Sequence, residues 1–585
     1  MMKTRDKSGN ARGESLRRVR SATIIIAIAA ILLRVWNLSG PDMANDEAHY
    51  AFRAVGYVDY VASVNLQSTP ATWFDAPRWW QRLSFHDAPP LVFLAERLSF
   101  LAFGVHPLAA RMPFVIAGLA TVAATFFLAR FFGGLRAGLI GAGALAISNY
   151  HVWASRIGYL DGFVALFVAL ALYWWLRAQK DPRAYLWWGI SCGLGILAKY
   201  TFLFMAPVFL VGFFTREPRP PWRNARFWTG VILLVLLVSP LIVYNGMMWR
   251  ERGHPDAALS TLLGMHPDDF RGLTRSVHAN PLRIGGAVSS IAGHMSIGFI
   301  ALLLTALGAL SFWIWRNPTA RKIYAPLLVG LFSGLVMLVV IGDHQRYGTA
   351  LLPLMASAMG AAGAEIWNMI RPGLKPATIA LTAVIAAGEL FFTVSSQLVA
   401  SPLARYPFSS RARPSWQGYA EIDRYVENFY DQFPQKSDIV IFSAAPQLAA
   451  YQEARIRKNL AANPRAPRQE HLLVFDDRMD WFSSVWIFER RRLYDQEPIH
   501  SLMQFLETAD KKGVGQYAEF GLRDVTFIIS EEPQTSASGR EPHPRPVAQF
   551  AGELKRTARP IDVIRRPDTG GTAFTVFRLP LAAFE

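Results

Sequence analysis

The chain has 585 residues, of which 52% are apolar and 18% charged, with 18 Trp and 39 Phe, and the apolar residues crowd into about the first 400 positions. They form runs near the roughly 20 residues that cross a bilayer, which excludes a soluble globular protein of one or several domains. The net charge of +17 lies on the amino terminus and between the apolar runs, which speaks for membrane topology and against nucleic acid. Cys192, the single cysteine, excludes an internal disulfide and a Cys-based metal site, and its place inside an apolar run reads as packing.

Lys3, Arg5, Lys7, Arg12, Arg17, Arg18 and Arg20 precede the first apolar run, 24–38. No small-x-small cleavage pattern follows Leu38, so the run is expected to stay as an uncleaved helix with residues 1–20 as a basic cytoplasmic tail. Asp46 and Glu47 then fall at the outer surface, at the start of an external loop spanning 39–106. Within that loop Glu96 and Arg97 interrupt the run 89–104, while Leu91, Leu94, Leu98 and Leu101 recur at helical spacing, the pattern of a helix lying in the interface.

Later basic clusters are expected in the cytoplasm: Arg130 with Arg136; Arg177, Lys180 and Arg183; Arg216, Arg219, Arg223 and Arg226; Arg316, Arg321 and Lys322; Arg371 with Lys375. They alternate with loops that hold Asp161, Lys199, residues 246–286 and residues 344–346. The alternation closes with about 11 transmembrane helices over 21–395 if 89–104 does not cross. Gly193 and Gly195 lie in an apolar run and read as helix-packing positions rather than a dinucleotide loop. Asp46-Glu47-Ala48-His49 spells a helicase signature, but no phosphate-loop motif accompanies it.

Beyond 395 the composition turns polar. Runs at 438–442, 471–475, 525–529 and 572–577 read as strands, 418–433 and 499–511 as helices, and the Pro/Ser-rich stretch 533–546 as a loop. The expected architecture is thus a polytopic α-helical membrane protein with a carboxyl-terminal soluble α/β domain over 396–585, on the same side as Asp46.

Five groups of residues appear in order: Asp46-Glu47-Ala48-His49-Tyr50-Ala51; His86-Asp87-Ala88-Pro89-Pro90-Leu91; Phe103-Gly104 with Arg111; Ser155-Arg156 with Asp161; and Gly195-Ile196-Leu197-Ala198-Lys199. A sixth, His344-Gln345-Arg346-Tyr347 with Leu351-Leu352-Pro353, follows them. This set resembles the polyprenyl-phosphate-dependent glycosyltransferases of the GT-C superfamily, above all the protein O-mannosyltransferases and the lipid A aminoarabinose transferases. The resemblance implies the GT-C fold and an inverting glycosyltransferase that moves a sugar from a polyprenyl-phosphate donor to a hydroxyl of lipid A, an envelope glycan or a protein. It also implies a second active-site carboxylate at Asp161 and donor or lipid-phosphate contacts from Arg346, Lys199, His344, Tyr347 and His86. Where the aminoarabinose transferases carry a lysine just before Pro-Pro, this chain has His86-Asp87-Ala88, so it is not read as a plain member of that group.

The residue types suit that chemistry on their own terms. Attack on an anomeric carbon needs a carboxylate to take the acceptor proton and cations to hold the departing phosphate. Asp46 is the candidate base, and Glu47, pointing away from it, is expected to orient the loop, the acceptor or a cation. The structural alternative is that the pair caps a helix over 48–54, and that Asp161 caps the helix after it. Arg346 can grip a phosphate through two parallel hydrogen bonds, whereas Lys199 offers a compact charge. No cofactor is required in this reading, although a divalent cation has room in it. His254 and His266 are weak metal candidates that share a loop with His278, Asp256, Asp268 and Asp269 at spacings matching no compact ligand motif. The expected partners are the lipid-linked donor, its acceptor and the bilayer, and the expected location is a bacterial inner membrane with the α/β domain in the periplasm. A transporter or flippase of a lipid-linked sugar, and a non-catalytic envelope assembly protein, are the alternative readings.

Overall fold

The computed structural model describes residues 4–57, 83–215, 220–270, 283–342, 344–403, 413–432, 470–495, 497–531 and 545–584. Lys3, Arg216, Arg219, His278, the predicted strand at 438–442 and most of the predicted loop at 533–546 lie outside them. The chain forms two compact units, each composed of several segments. The first comprises Met1–Leu38, Arg78–Ser99 and Leu108–Arg413; the second comprises Ser39–Pro77, Phe100–Pro107 and Pro414–Glu585.

The first unit is helical. Helix α1, Thr4–Val35, carries the first apolar run. The 41-residue helix Pro107–Ile147 would be about 60 Å long if straight, twice the hydrocarbon thickness. It breaks at Gly133 and Gly134, where Gly134 takes φ +71°, a left-handed conformation that suits glycine. The break falls between Arg130 and Arg136, where the charge pattern requires a turn. On length and composition six helices among the described residues can cross a membrane, or seven if the bent pair Asn149–Arg156 and Asp161–Arg177 is one span. The 11 crossings expected from sequence additionally require α1, the two arms of Pro107–Ile147 taken separately, and the shorter apolar helices Ala184–Ala198 and Tyr200–Phe214.

Small residues set the helix spacing. A Cβ on Gly189 would lie 2.0 Å from the Gly230 carbonyl oxygen, so helices Ala184–Ala198 and Ala225–Arg252 meet backbone to backbone. Gly193 and Gly195 do the packing expected of them, against Leu237 and Phe202. The run that starts at Leu91 is the 13-residue helix Leu91–Phe103, about 20 Å long and too short to span. Its Leu94, Leu98 and Leu101 are exposed, while Glu96 is buried beside Val92, Phe93 and Phe100.

The second unit is built on a five-stranded mixed sheet of order β2-β1-β3-β5-β4. Strands β1 (His471–Phe475), β2 (Ile499–Ser501) and β3 (Asp524–Ser530) run parallel, while β5 (Thr572–Pro580) pairs antiparallel with β3 and with β4 (Asp562–Arg565). Leu472, Val474, Val525, Phe527 and Ile529 bury one face with Leu502, Phe505, Val547 and Leu554 from helices Leu502–Lys512 and Arg545–Thr557. Phe475, pointing to the other face, stacks on Phe488 with centroids 4.4 Å apart. The predicted helix 418–433 is Tyr419–Gln432. The predicted helix 499–511 is corrected at its start: Ile499–Ser501 pairs with β1, and the helix begins at Leu502 behind a capping box of Ser501 and Gln504.

Although the sequence groups 39–106 with the membrane part, Ser39–Pro77 and Phe100–Pro107 cluster with the sheet unit. The reason is local packing. Helix α2, Asn45–Gly56, places His49 against Trp481 and Phe482, and Phe52 against Tyr494.

Candidate active site

Three interruptions of helix in the first unit bring polar side chains together. Asp161 opens helix Asp161–Arg177 after a 118° bend from Asn149–Arg156. Lys199 takes extended backbone between Ala184–Ala198 and the 3-10 turn Tyr200–Met205. Arg346 and Tyr347 lie on the 3-10 turn Gln345–Leu351 that precedes helix Leu352–Met369. Irregular backbone persists inside a membrane protein only where protein or a polar cavity surrounds it, so these breaks mark a built site.

Lys199 Nζ lies 2.7 Å from Asp161 Oδ2, and the other carboxylate oxygen, Oδ1, is buried with no hydrogen-bond partner among the described residues. The same ammonium is 4.5 Å from the centre of the Tyr347 ring. The Arg346 guanidinium is 5.3 Å from that ring and 6.0 Å from the ring of Tyr159. His344 meets Tyr347 edge-on at 5.5 Å. Three residues singled out in the sequence, Lys199, Arg346 and His344, thus lie around the ring of a fourth, Tyr347, and Asp161 joins them through Lys199. Chemically the cluster offers two cations for an anion and one carboxylate oxygen able to accept a further hydrogen bond.

A buried network holds the 3-10 turn. The Tyr150 hydroxyl donates to the Gln345 carbonyl, and the Tyr150 ring stacks on His294 at 4.5 Å. His294 Nε2 lies 3.2 Å from Gln345 Oε1. Glu389, fully buried, accepts from the backbone N–H groups of Asn149 at 2.9 Å and Ser296 at 3.0 Å. A Cβ on Gly348 would come 2.5 Å from the Tyr150 hydroxyl, which accounts for glycine there. Of these, sequence reading named only Gln345, within the group at 344–347. Glu389, a carboxylate inside an apolar run, was the available signal.

A second network lies beside Lys199. Asp256 caps helix Ala257–Leu262 through Leu259 N–H, and accepts from the Tyr200 hydroxyl and from Asn245 Nδ2 at 3.0 Å. Burial pushes the Asp256 carboxyl up to about 6, although those hydrogen bonds pull it the other way. A carboxyl raised on folding holds its proton more tightly in the native state, so its contribution is present at low pH and is lost as pH rises from about 4 through 6. Thermal unfolding of the full chain in detergent is expected to show stability falling over that interval by up to about 3 kcal/mol, and Asp256→Asn to flatten the fall. An unchanged slope in the variant would contradict this assignment.

His86 belongs to that neighbourhood: its carbonyl accepts from Ala257 N–H at 2.7 Å and its ring stacks on Phe270. His254 Nδ1 faces the Pro255 carbonyl at 2.9 Å and Nε2 faces Asp269 Oδ2 at 3.1 Å. Both ring nitrogens of His254 are thus engaged by oxygen atoms of the protein. His266 is exposed, and no group of three His, Cys, Asp or Glu side chains among the described residues converges at metal-binding distance. Arg156 and Arg111, present in the sequence pattern without a role, hold the carboxyl end of α1. Arg156 donates to the carbonyls of Leu33, Arg34, Trp36 and Asn37, and Arg111 to that of Leu38 at 2.7 Å. This satisfies the orphan acceptors of a helix end.

In the second unit, Asp46 and Glu47 occupy the first turn of α2. Adjacent helical positions point about 100° apart. Glu47 is 2% exposed, whereas Asp46 is half-buried. The N-cap position is Ala44, with no side-chain cap hydrogen bond, so the two carboxylates meet the helix N-terminus through its dipole rather than as caps.

A family model described as dolichyl-phosphate-mannose-protein mannosyltransferase matches residues 87–244. An uncharacterized protein of Aquifex aeolicus is 25% identical over 168 residues, 28% of this chain and 34% of that protein, so the match spans about a third of its length. Among solved structures, ArnT from Cupriavidus metallidurans bound to undecaprenyl phosphate is similar over 97% of this chain and 98% of its own, with 13% identity and a TM-score of 0.53. The Archaeoglobus fulgidus oligosaccharyltransferase aligns over 87% of this chain and 69% of its own at 15% identity and a TM-score of 0.46. Fold and site define a polytopic integral membrane protein with an added α/β unit. The chain shares the fold of ArnT, and residues 87–244 are similar to the dolichyl-phosphate-mannose-protein mannosyltransferase family.

Proposed function

We propose that this protein is an inverting glycosyltransferase that moves a sugar from a polyprenyl-phosphate donor to a hydroxyl acceptor. The observation that carries the reading is the convergence of Lys199, Arg346, Tyr347 and the half-satisfied Asp161 at three helix breaks. In this reading Arg346 and Lys199 hold the phosphate, with His344 bordering Tyr347, and Asp161 Oδ1 accepts a hydroxyl of the donor sugar. Asp46 takes the acceptor proton as the acceptor oxygen bonds to the anomeric carbon. The carbon–oxygen bond to phosphate breaks as the new bond forms on the opposite face, and polyprenyl phosphate leaves with its charge matched by the two cations. Glu47 orients the first turn of α2, and His86 supports the loop beside Lys199. No cofactor is required. The setting is a bacterial inner membrane, with the amino terminus cytoplasmic and the sheet unit periplasmic. Support comes from the undecaprenyl phosphate bound by the similar ArnT structure and from the mannosyltransferase family match.

The test is mass-spectrometric release of free polyprenyl phosphate from a panel of polyprenyl-phospho-sugars by membranes that retain native acceptors. Wild type is expected to release it from one donor class and to label an acceptor with the same sugar. Absence of release from every donor, in membranes where an added known acceptor of each class is present, overturns the reading.

A further inference from the structure

The segment that leads into α2 is clamped by residues more than 370 positions away in the sequence. Asp42, 3% exposed, accepts hydrogen bonds from Ser415 Oγ at 2.7 Å, from Gln417 N–H and from Ala420 N–H at 2.8 Å. Its own N–H donates to the Ser415 carbonyl at 2.9 Å. Ala420 lies in the first turn of helix Tyr419–Gln432, so the Asp42 charge also meets the positive end of a 14-residue helix. Gly418 takes φ +99° there, and a Cβ on it would strike Ala573 at 2.8 Å, so glycine makes the turn that presents both N–H groups.

The clamp continues along α2. The Met43 carbonyl accepts from Ser483 Oγ at 3.0 Å. Asn45, the first helical residue, has φ +53°, a left-handed conformation that Asn tolerates better than most residues. At the far end the Phe52 carbonyl accepts from the Tyr494 hydroxyl at 3.1 Å, and Gly56 lies against the Tyr494 ring. Between Ser483 and Tyr494 in the sequence lie Trp486, Arg490 and Arg491, which are buried with Asp423. Burial alone would push the Asp423 carboxyl up, but the two guanidiniums hold it below the usual carboxylate range. Helix α2 is therefore contacted at its entry, its face and its exit.

We propose that Asp42 is a positioning residue for transfer, and that the sheet unit acts on the reaction by holding Asp46 in place. This rests on the reading of Asp46 as the base. A charged acceptor with three donors is the strongest single contact at the entry to α2. A small rotation of the first turn would move the Asp46 carboxylate out of line with the acceptor hydroxyl, where displacements near 1 Å cost about a hundredfold in rate.

The experiment uses the full chain in detergent, with turnover normalised to the monodisperse folded fraction. Asp42→Ala is expected to lower kcat about tenfold to a hundredfold while donor KM stays within about twofold. Asp42→Asn keeps one acceptor oxygen and is expected to fall between that variant and wild type. Amide exchange of α2 should accelerate in Asp42→Ala while that of β1 and β3 stays as in wild type, a split that general destabilisation does not produce. Added to Asp46→Asn, Asp42→Ala should lower the residual rate no further. Wild-type kcat in Asp42→Ala, or unchanged exchange of α2, overturns the proposal. If Asp46→Asn itself keeps wild-type turnover, the base assignment falls instead, and the exchange of α2 still reports on the clamp.

Discussion

Asp46→Asn is expected to reduce sugar transfer about a thousandfold while leaving donor KM within about twofold. General-base assistance contributes about a hundredfold to ten-thousandfold, and an amide of the same size keeps the packing of α2 but cannot take the proton. The position suits a base. Asp46 is half-buried in the first turn of α2, where the helix N-terminus favours the ionised form. Glu47, 2% exposed, cannot exchange roles with it without rotating the helix. Glu47→Gln is therefore expected to lose about tenfold, through orientation of the first turn. The check is the initial rate of labelled-sugar transfer at saturating donor, alongside the binding of donor without turnover. A tenth or more of wild-type rate in Asp46→Asn would remove Asp46 from the role of base.

The residues that were readable from sequence and those that were not differ in a physical way. Asp161, Lys199 and Arg346 stand out because an ionisable group among apolar helices is costly and therefore rare. Their convergence follows from which loops share a face, and basic clusters report that. In the structure Asp161, Lys199 and Tyr347 meet. The supporting shell leaves no such trace. Glu389 and Asn149 are 240 positions apart, and Tyr150 and Gln345 are 195 apart, so no local pattern couples them. The same holds for Asp42, whose partners at 415–420 lie beyond every membrane helix. Local signals were sufficient for boundaries only where they were used. Ser501 and Gln504 spell a capping box, and reading it would have started the helix at Leu502 and freed Ile499–Ser501 for the sheet. Crossing number is harder still, because the helices that carry the site are broken, and a break splits one apolar run into pieces shorter than a span.

Arg346→Ala is expected to weaken binding of the released polyprenyl phosphate about a hundredfold, roughly 3 kcal/mol, with a matching rise in donor KM. The argument starts from geometry. Arg346 lies over the faces of Tyr159 and Tyr347, and its guanidinium fork matches a phosphate through two parallel hydrogen bonds. Lys199 is held by Asp161 at 2.7 Å and offers a compact charge instead. Arg346→Lys keeps the charge and loses the paired hydrogen bonds, and is expected to recover about a tenth of the lost affinity. Asp161→Asn divides the roles. It releases Lys199 from its carboxylate and removes a sugar contact, so binding of polyprenyl phosphate should be kept or strengthened while turnover of the glycosylated donor falls. Titration of each variant with polyprenyl phosphate and with an unreacted donor separates the two effects. Equal loss of both ligands in Asp161→Asn would place that carboxylate on the phosphate side, and full affinity in Arg346→Ala would move phosphate recognition away from the 3-10 turn that carries it.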